Sequence, residues 1–285
     1  MSDGYGTLYL CATPIGNLGD MTFRAVEILK KVSLIAAEDT RHTRKLTSHF
    51  DIHTPLTSYH EHNRQTKGPE LVAKLLAGQD VAVVSDAGLP GISDPGEDLV
   101  RLAIQAGVRV TPIPGACAAL TALMASGLST RGFQFVGFLP KASTARRKYL
   151  QTLRSQPETL LFYESPHQLI KTLEDLSAVL GDRQAVIGRE LTKLHEEFCR
   201  TTLSGLVVHF REHPPRGEFV IVVAGHDGAQ DMPEQTPPEI TDDYIRQEVE
   251  RRVAGGANKK DAIRMIASQW GLSRRRVYQL ALDSG

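Results

Sequence analysis

Short apolar runs alternate along the chain with longer segments in which apolar residues recur every three or four positions. In the first half, the runs cover 8–13, 34–38, 81–85 and 108–113, and helical periodicity covers 22–31, 69–77, 96–106 and 115–126. Alternation of this kind predicts a parallel sheet whose strands are joined by helices packed on both faces.

The pattern resumes after a turn-rich break, GLSTRG, at 127–132. Further runs cover 133–138, 159–164, 185–190 and 218–225, with helical periodicity at 143–154 and 166–180. This predicts a second α/β domain. The composition of 226–238 is that of a linker, and the remainder of the chain predicts three helices. The predicted domains are therefore 1–127, 128–226 and 239–285, with the linker at 227–238.

From the composition of this chain of 285 residues, we expect a globular protein of the cytoplasm. It has no run of eighteen apolar residues and no signal-peptide pattern at its start, so neither a membrane span nor secretion is expected. Cys11, Cys117 and Cys199 are too far apart for a metal knuckle and odd in number for a disulfide framework. Buried thiols in a reducing compartment are the simplest interpretation.

Charge is balanced overall, with 33 basic and 33 acidic residues, but the last thirty residues are basic. Gly271 ends one helical pattern and Ser273 is placed to cap the next, which is the layout of a helix-turn-helix. The basic side chains there are Lys259, Lys260, Arg264, Arg274, Arg275 and Arg276. Nucleic-acid contact is the favoured interpretation, because arginines in a first helical turn gain nothing from the helix dipole. The alternative is a small helical bundle with a basic face.

Three loops rich in glycine and proline follow predicted strands of the first half. They are TPIGNLGD (13–20), SDAGLPGISDPG (85–96) and PIPGACAA (112–119). None contains a P-loop or a G-x-G-x-x-G motif, which argues against a nucleoside triphosphatase. Ligands of open α/β sheets bind at the strands' carboxyl ends. Loops of this composition present carbonyls and small side chains, and these suit a ligand with an adenine, a ribose and a cationic centre.

These loops belong to an ordered set of motifs. The others are AAEDTRHT (36–43), GFLP (137–140), FYESPH (162–167) and RELTKLHEE (189–197). From residue 7 to 225 the set resembles the ribosomal RNA small subunit methyltransferase I family of the tetrapyrrole methylase superfamily, and the helical tail is similar to that family's C-terminal extension.

The resemblance implies an N-terminal domain with a parallel sheet, a second domain with a mixed sheet, and a small helical domain. It implies a homodimer that uses S-adenosylmethionine, bound between the α/β domains, to methylate the 2′-oxygen of a cytidine in 16S ribosomal RNA of the small subunit. The cofactor residues that it implies are Pro14, Asp86, Ala87, Gly88, Ile92, Ser93, Cys117, Ala118, Phe162, Tyr163, Glu164 and Phe219. Cys117 stands where relatives often have serine.

Methylation of a ribose hydroxyl calls for a group that accepts its proton. The candidates are Glu38, Asp39, Glu164 and the pair of Glu190 with Lys193. We favour Asp39, with Arg41 and Arg44 binding RNA phosphate. Each candidate also has a simpler explanation: Glu38 or Asp39 caps the helix that begins near Arg41, Glu164 orients the cofactor ribose, and Glu190 pairs with Lys193.

Two other functions fit parts of the sequence. The same scaffold could methylate a tetrapyrrole carbon, although this leaves the basic tail unexplained. A DNA-binding regulator that senses a metabolite would explain the tail. The histidines of YHEHN (59–63) and KLHEE (193–197) lack the spacing of a zinc motif, so no metal is expected.

Overall fold

A parallel sheet of five strands forms the first part of the computed structural model, which describes residues 4–92, 96–228 and 241–282. The strands are β1 (Thr7–Cys11), β2 (Leu34–Ala37), β3 (Leu56–Ser58), β4 (Val81–Val84) and β5 (Arg109–Ile113), in the order β3-β2-β4-β1-β5. All four residues of β4 are buried, as expected for a central strand covered on both faces.

Helices connect these strands and cover the sheet. They are α1 (Phe23–Lys31), α2 (Thr40–His49), α3 (Arg64–Leu76) and α4 (Gly96–Gln105). The connection that leaves β1 runs toward β2, whereas the one that leaves β4 runs toward β5, on the opposite side. The order of the sheet therefore reverses between β4 and β1, where an open α/β sheet forms a crevice for ligands.

The second sheet is mixed. Its strands are β6 (Phe133–Phe138), β7 (Thr159–Glu164), β8 (Gln184–Arg189), β9 (Glu197–Thr202) and β10 (Phe219–Val223), in the order β6-β7-β10-β8-β9. Only β6 and β7 are parallel to each other; the remaining neighbours are antiparallel. Its helices are α5 (Ala118–Ser126), α6 (Ser143–Gln151), α7 (Leu169–Leu180) and α8 (Leu203–Glu212).

Helix α5 links the two sheets. It follows β5 of the first sheet, and its Ala119, Ala122 and Leu123 pack with Leu161 and Val222 of the second. The opposite face of the second sheet packs against α6, α7 and α8, which share one large apolar cluster. The chain thereby brings the carboxyl edge of the first sheet next to a face of the second.

Both sheets belong to one compact unit, Met1–Asp227, and the second unit is Gly228–Gly285. The described residues of the second unit form three helices, α9 (Asp242–Ala254), α10 (Lys259–Trp270) and α11 (Arg274–Leu282). Their core contains Ile245, Val249, Ile266, Val277 and Leu280. No helix among the described residues is both long and apolar enough to cross a membrane.

The predicted fold class is confirmed: a parallel sheet, a mixed sheet and C-terminal helices are all present. The short strand β3, the edge strand β9 and helix α8 were not predicted. The domain bounds stay predictions, and residues 229–238 of the proposed linker lie outside the described residues.

Candidate active site

A cavity of about 410 Å³ lies where the carboxyl edge of the first sheet meets the second sheet. Its volume is within the range of roughly 300–1,000 Å³ that is typical of small-molecule sites. The lining residues are Ile15, Glu38, Ser85, Ala87, Gly88, Leu89, Ile92, Cys117, Ala118, Phe138, Tyr163, Glu164, Ser165, Pro166, Leu191, Gly217, Glu218, Phe219 and Val220. All three glycine-rich loops therefore contribute to one cavity.

The loops after β1 and β4 are joined across the crevice. The backbone N–H of Thr13 donates to the Gly88 carbonyl (2.9 Å), and the Gly88 N–H donates to the Thr13 carbonyl (3.1 Å). Gly88 has a φ of +82°, which only glycine adopts without strain. A glycine here lets the second loop turn sharply and expose its backbone to the cavity.

Aromatic side chains form the facing wall. Tyr163 lies edge-to-face with Phe135 (ring centroids 5.0 Å apart) and Phe138 (5.6 Å). Its hydroxyl oxygen accepts a hydrogen bond from the Ala119 N–H at the start of α5, 3.2 Å away. Burial, with a smaller contribution from Cys117, raises the pKa of Tyr163 to about 12. The phenol is therefore neutral at physiological pH, and the wall suits a flat apolar group.

The charged groups that line the cavity are all acidic: Glu38, Glu164 and Glu218. Glu164 is fixed by hydrogen bonds from the Ser165 N–H (2.8 Å), the Ser165 hydroxyl (3.4 Å) and the Thr172 hydroxyl (2.6 Å). No lysine or arginine lies among the lining residues. Carboxylates without a lining cation favour a positively charged ligand over a phosphate.

Asp39, the favoured base, does not line the cavity. It is the N-cap of α2: its Oδ1 accepts from the Arg41 N–H (2.8 Å), and its Oδ2 lies 2.9 Å from Arg41 Nη2. The hydrogen bonds from Arg41 lower the pKa of Asp39 to about 2. A carboxylate held in this way is a weak proton acceptor, and the capping interpretation of Asp39 is confirmed.

Glu38 and Asp86 connect the ends of β2 and β4. The Asp39 N–H donates to Asp86 Oδ1 (3.0 Å), while the Asp86 N–H donates to Glu38 Oε2 (3.5 Å). Asp86 thus holds the second loop against the EDTRHT segment, and its carboxylate is directed to that segment. Of the two neighbouring acids, Glu38 is the one that lines the cavity.

Lys193 lies between two carboxylates, one of which, Glu218, lines the cavity. Its Nζ is 2.9 Å from Glu190 Oε1 and 2.9 Å from Glu218 Oε2. Burial acts to lower the pKa of Lys193, but the hydrogen bonds to Glu218 and Glu190 outweigh it and raise that pKa. Lys193 therefore stays protonated, and the predicted pairing of Glu190 with Lys193 is confirmed.

The structure brings most of the predicted cofactor residues together. The cavity is lined by Ala87, Gly88, Ile92, Cys117, Ala118, Tyr163, Glu164 and Phe219. Pro14 and Asp86 lie in the loops without lining it. Phe162 is fully buried in the apolar cluster under α6–α8, because neighbouring side chains on a strand point to opposite faces. Ser93 lies outside the described residues.

Sequence reasoning missed several apolar members of the walls, among them Ile15, Leu89, Phe138, Leu191 and Val220. Ile15 and Leu191 lie inside the recognised motifs TPIGNLGD and RELTKLHEE, so the motifs contained a usable signal. Val220 lies on a buried strand, and no motif in the sequence indicated that it lines the cavity. Its position in the cavity wall depends on the packing of the two sheets.

In the second unit, Gly271 ends α10 with a φ of +64°, and the Ser273 hydroxyl accepts from the Arg276 N–H (3.2 Å). Lys259, Lys260, Arg274 and Arg275 are exposed. Arg276 Nη2 lies 2.8 Å from Asp242 Oδ1, so this arginine ties α11 to α9. In the first unit, Arg44 is exposed on α2.

The histidines of YHEHN and KLHEE build no metal centre in the described part of the chain, where no group of three or more potential ligands is placed for one. His60 and His62 have ring centroids 6.0 Å apart, edge-to-face.

Comparison with known proteins relates this chain to methyltransferases. The model of the family described as Tetrapyrrole (Corrin/Porphyrin) Methylases matches residues 7–207. A protein of Synechocystis sp. named Ribosomal RNA small subunit methyltransferase I is 50% identical over 98% of this chain and 98% of its own length. One of the same name from Halalkalibacterium halodurans is 51% identical, with 98% of this chain and 95% of that protein covered.

Among solved structures, uroporphyrin III C-methyl transferase from Thermus thermophilus is similar with a TM-score of 0.55 and 18% identity. The match covers 76% of this chain and 97% of that one. At this level of identity the likeness concerns the fold alone.

Proposed function

The chain belongs to the ribosomal RNA small subunit methyltransferase I family of the tetrapyrrole methylases, and from this premise we propose that it methylates the 2′-oxygen of a cytidine in 16S ribosomal RNA. It is a methyltransferase, and its methyl donor is S-adenosylmethionine. The observation that carries the proposal is the acid-lined cavity at the crevice between β4 and β1.

The cavity residues fit this donor. S-adenosylmethionine supplies, when bound, a methyl group on a positively charged sulfur. The carboxylates of Glu38 and Glu164 favour that charge, and the Tyr163 wall suits an adenine. The backbone around Ala87 and Gly88 would hold the donor from the first sheet. The protein's main contribution to such a transfer is alignment of donor and acceptor.

We assign acceptance of the ribose proton to Glu38. Asp39 is held by Arg41 outside the cavity and Glu190 is paired with Lys193, which leaves Glu38 and Glu164 as the candidates that line the cavity, and Glu164 belongs to the wall that we assign to the adenine. Glu38 lines the cavity and lies beside the second loop, to which the Asp86 N–H joins it.

Paired isosteric variants test this assignment. We expect Glu38→Gln to weaken donor binding modestly, because one lining carboxylate is lost, while kcat at saturating donor falls by about 10²- to 10⁴-fold, the usual contribution of a general base. Asp39→Asn, which retains an oxygen for the helix cap, should lose less than about tenfold. The measurement is single-turnover methylation together with calorimetric donor titration. A fully active Glu38→Gln beside an inactive Asp39→Asn would return the role to Asp39.

Transfer of label tests the function itself. The chain is incubated with methyl-labelled donor and, in separate reactions, small ribosomal subunits, naked 16S RNA, a tetrapyrrole precursor or duplex DNA. We expect label in the RNA at the 2′-oxygen of a cytidine, located by its resistance to alkaline cleavage. Label only in the tetrapyrrole would contradict the proposal.

The proposal extends to partners and location. Arg44, Lys259, Lys260, Arg274 and Arg275 would bind RNA phosphate, since they are exposed and form no ion pair with a described residue. A homodimer is supported by α5, which packs one face on the second sheet and exposes Leu120 and Met124 on another. A substrate in the ribosome places the enzyme in the cytoplasm.

A further inference from the structure

Helix α11 has an inner and an outer face. Val277, Leu280 and Ala281 are buried against the rest of the second unit. Its outer face presents Arg274, Arg275, Tyr278, Gln279 and Leu282, and no acidic residue occurs between Arg274 and Leu282. A face of this composition differs from the mixed charges that normally cover a solvent-exposed helix.

The three arginines at the start of α11 have different surroundings. Arg276 is paired with Asp242 of α9 and has a structural role. Arg274 and Arg275 form no ion pair with any described residue. They lie in the first turn of the helix, where the dipole disfavours positive charge. Their placement is therefore unfavourable for the isolated unit and becomes favourable when an anion binds.

Tyr278 lies on the same face, four residues after Arg274 and three after Arg275, which makes it a neighbour of both. Its side chain is 49% exposed. Tyr244 and Trp270 of the same unit, in contrast, stack on each other with ring centroids 5.5 Å apart. Among the described residues, no aromatic ring stacks on Tyr278, so this half-exposed ring is available to stack on a planar ligand.

Guanidinium groups beside an open aromatic ring suit phosphates beside an unstacked base. In DNA-binding proteins the second helix of such a motif enters the major groove, but the major groove of an RNA duplex is too narrow for side chains to read. Proteins bind specific RNA mainly in loops, where bases are splayed and stack on aromatic side chains.

From this face we infer that α11 binds an unpaired segment of RNA, with Arg274 and Arg275 on phosphates and Tyr278 stacked on a base. The inference rests on the proposed function and adds to it the kind of RNA structure that the second unit recognises. It predicts that stacking and charge contribute separately to affinity.

Fluorescence anisotropy with the full chain tests the inference, using an RNA hairpin with a long loop, a blunt RNA duplex and a DNA duplex. We expect Tyr278→Ala to weaken hairpin binding by about 5- to 100-fold, the effect of losing one stacked base, without changing the salt dependence. Tyr278→Phe should bind within twofold of the unmodified chain. Arg274→Ala and Arg275→Ala should each lower the slope of log affinity against log salt by about one.

Tyr5→Ala is the matched control, because Tyr5 is a tyrosine of the first unit with 48% exposure. It should leave hairpin binding unchanged. If Tyr278→Ala binds the hairpin as the unmodified chain does, or loses affinity equally for both duplexes, the inference is overturned while the proposed function stands. Failure of the unmodified chain to bind any RNA would overturn both.

Discussion

Lys193 forms an ion pair with Glu218, which lines the cavity. Glu190 and Thr192 in the preceding turn have φ values of +49° and +66°, a left-handed conformation that costs of order 1–3 kcal/mol for each non-glycine residue. The Lys193 stem packs so closely on Gly16 of the first loop that a Cβ there would clash with Lys193 Cγ. The lysine therefore links a strained turn of the second sheet to the first sheet.

We expect Lys193→Met, which keeps the stem but removes both ion pairs, to lower the free energy of unfolding by about 1 kcal/mol or less for each of these partly exposed pairs. The kcat at saturating donor should change by less than threefold, because the lysine takes no part in proton transfer. Urea denaturation, donor calorimetry and steady-state rates provide the measurement. Lys171→Met, on the exposed face of α7, is the control. A large loss of kcat without a change in donor affinity would show a direct chemical role.

At the scale of elements, a buried ion pair joins α6 to α7. Arg146 and Asp175 are 2% and 3% exposed, and Arg146 Nε donates to Asp175 Oδ2 (2.7 Å). Arg146 Nη1 also donates to the carbonyls of Pro140 and Lys141. The pair thus fixes the loop that follows Phe138, a residue of the aromatic wall.

Removing both partners of this pair should destabilise the fold less than the two single removals added together. We expect Arg146→Met alone to lower the free energy of unfolding by up to about 3–5 kcal/mol, since Asp175 would lose its buried partner and keep only Arg147 and Ser143. The double variant with Asp175→Leu should lose less than the sum of the single losses. Urea denaturation at neutral pH measures both. Additive losses would show that the two side chains stabilise the fold independently.

The same pair predicts a pH dependence. Burial alone would raise the pKa of Asp175, but hydrogen bonds from Arg147, Arg146 and Ser143 outweigh it and lower that pKa. Its stabilising effect is therefore present above the unfolded pKa of about 3.9 and is lost as pH falls through the lower folded pKa. We expect Asp175→Asn to be less stable at neutral pH and to lose less stability between pH 5 and 2 than the unmodified chain, as measured by urea midpoints.

Elements with a strong apolar pattern were predictable, and those formed by tertiary contacts were not. The run VAVV of β4 has a clear strand pattern, whereas β3 has three residues and depends on pairing with β2. Helix α2, TRHTRKLTSH, is polar; its start near Arg41 was predicted, but its extent was not.

The residues of the candidate site also include some that could be predicted from the sequence and some that could not. Glycine and proline marked the loops of the first wall, whereas Leu191 and Val220 line the cavity only because the second sheet packs against those loops. A single sequence also suggested Asp39 as the base. Only the structure distinguishes its carboxylate, held by Arg41, from the neighbouring Glu38.

At the scale of the molecule, the two units should separate two activities. Every lining residue lies between Ile15 and Val220 in the first unit, and the basic helices lie in the second. We expect deletion of 239–285 to leave donor affinity within twofold, and to weaken RNA binding and reduce its salt dependence. Calorimetry and anisotropy at several salt concentrations provide the measurement. Unchanged RNA affinity at low salt would contradict the role given to the second unit.

The residues that line the cavity are spread over most of the sequence, and this has a consequence for the synthesis of the protein. Its walls join Ile15 to Val220, and β10, which supplies Phe219 and Val220, is the central strand on which β7 and β8 pair. A nascent polypeptide therefore has no complete donor pocket until β10 has left the exit tunnel of the translating ribosome. Donor capture then marks the end of folding of the first unit, so this chain matures as an enzyme only after nearly four-fifths of it has been synthesised.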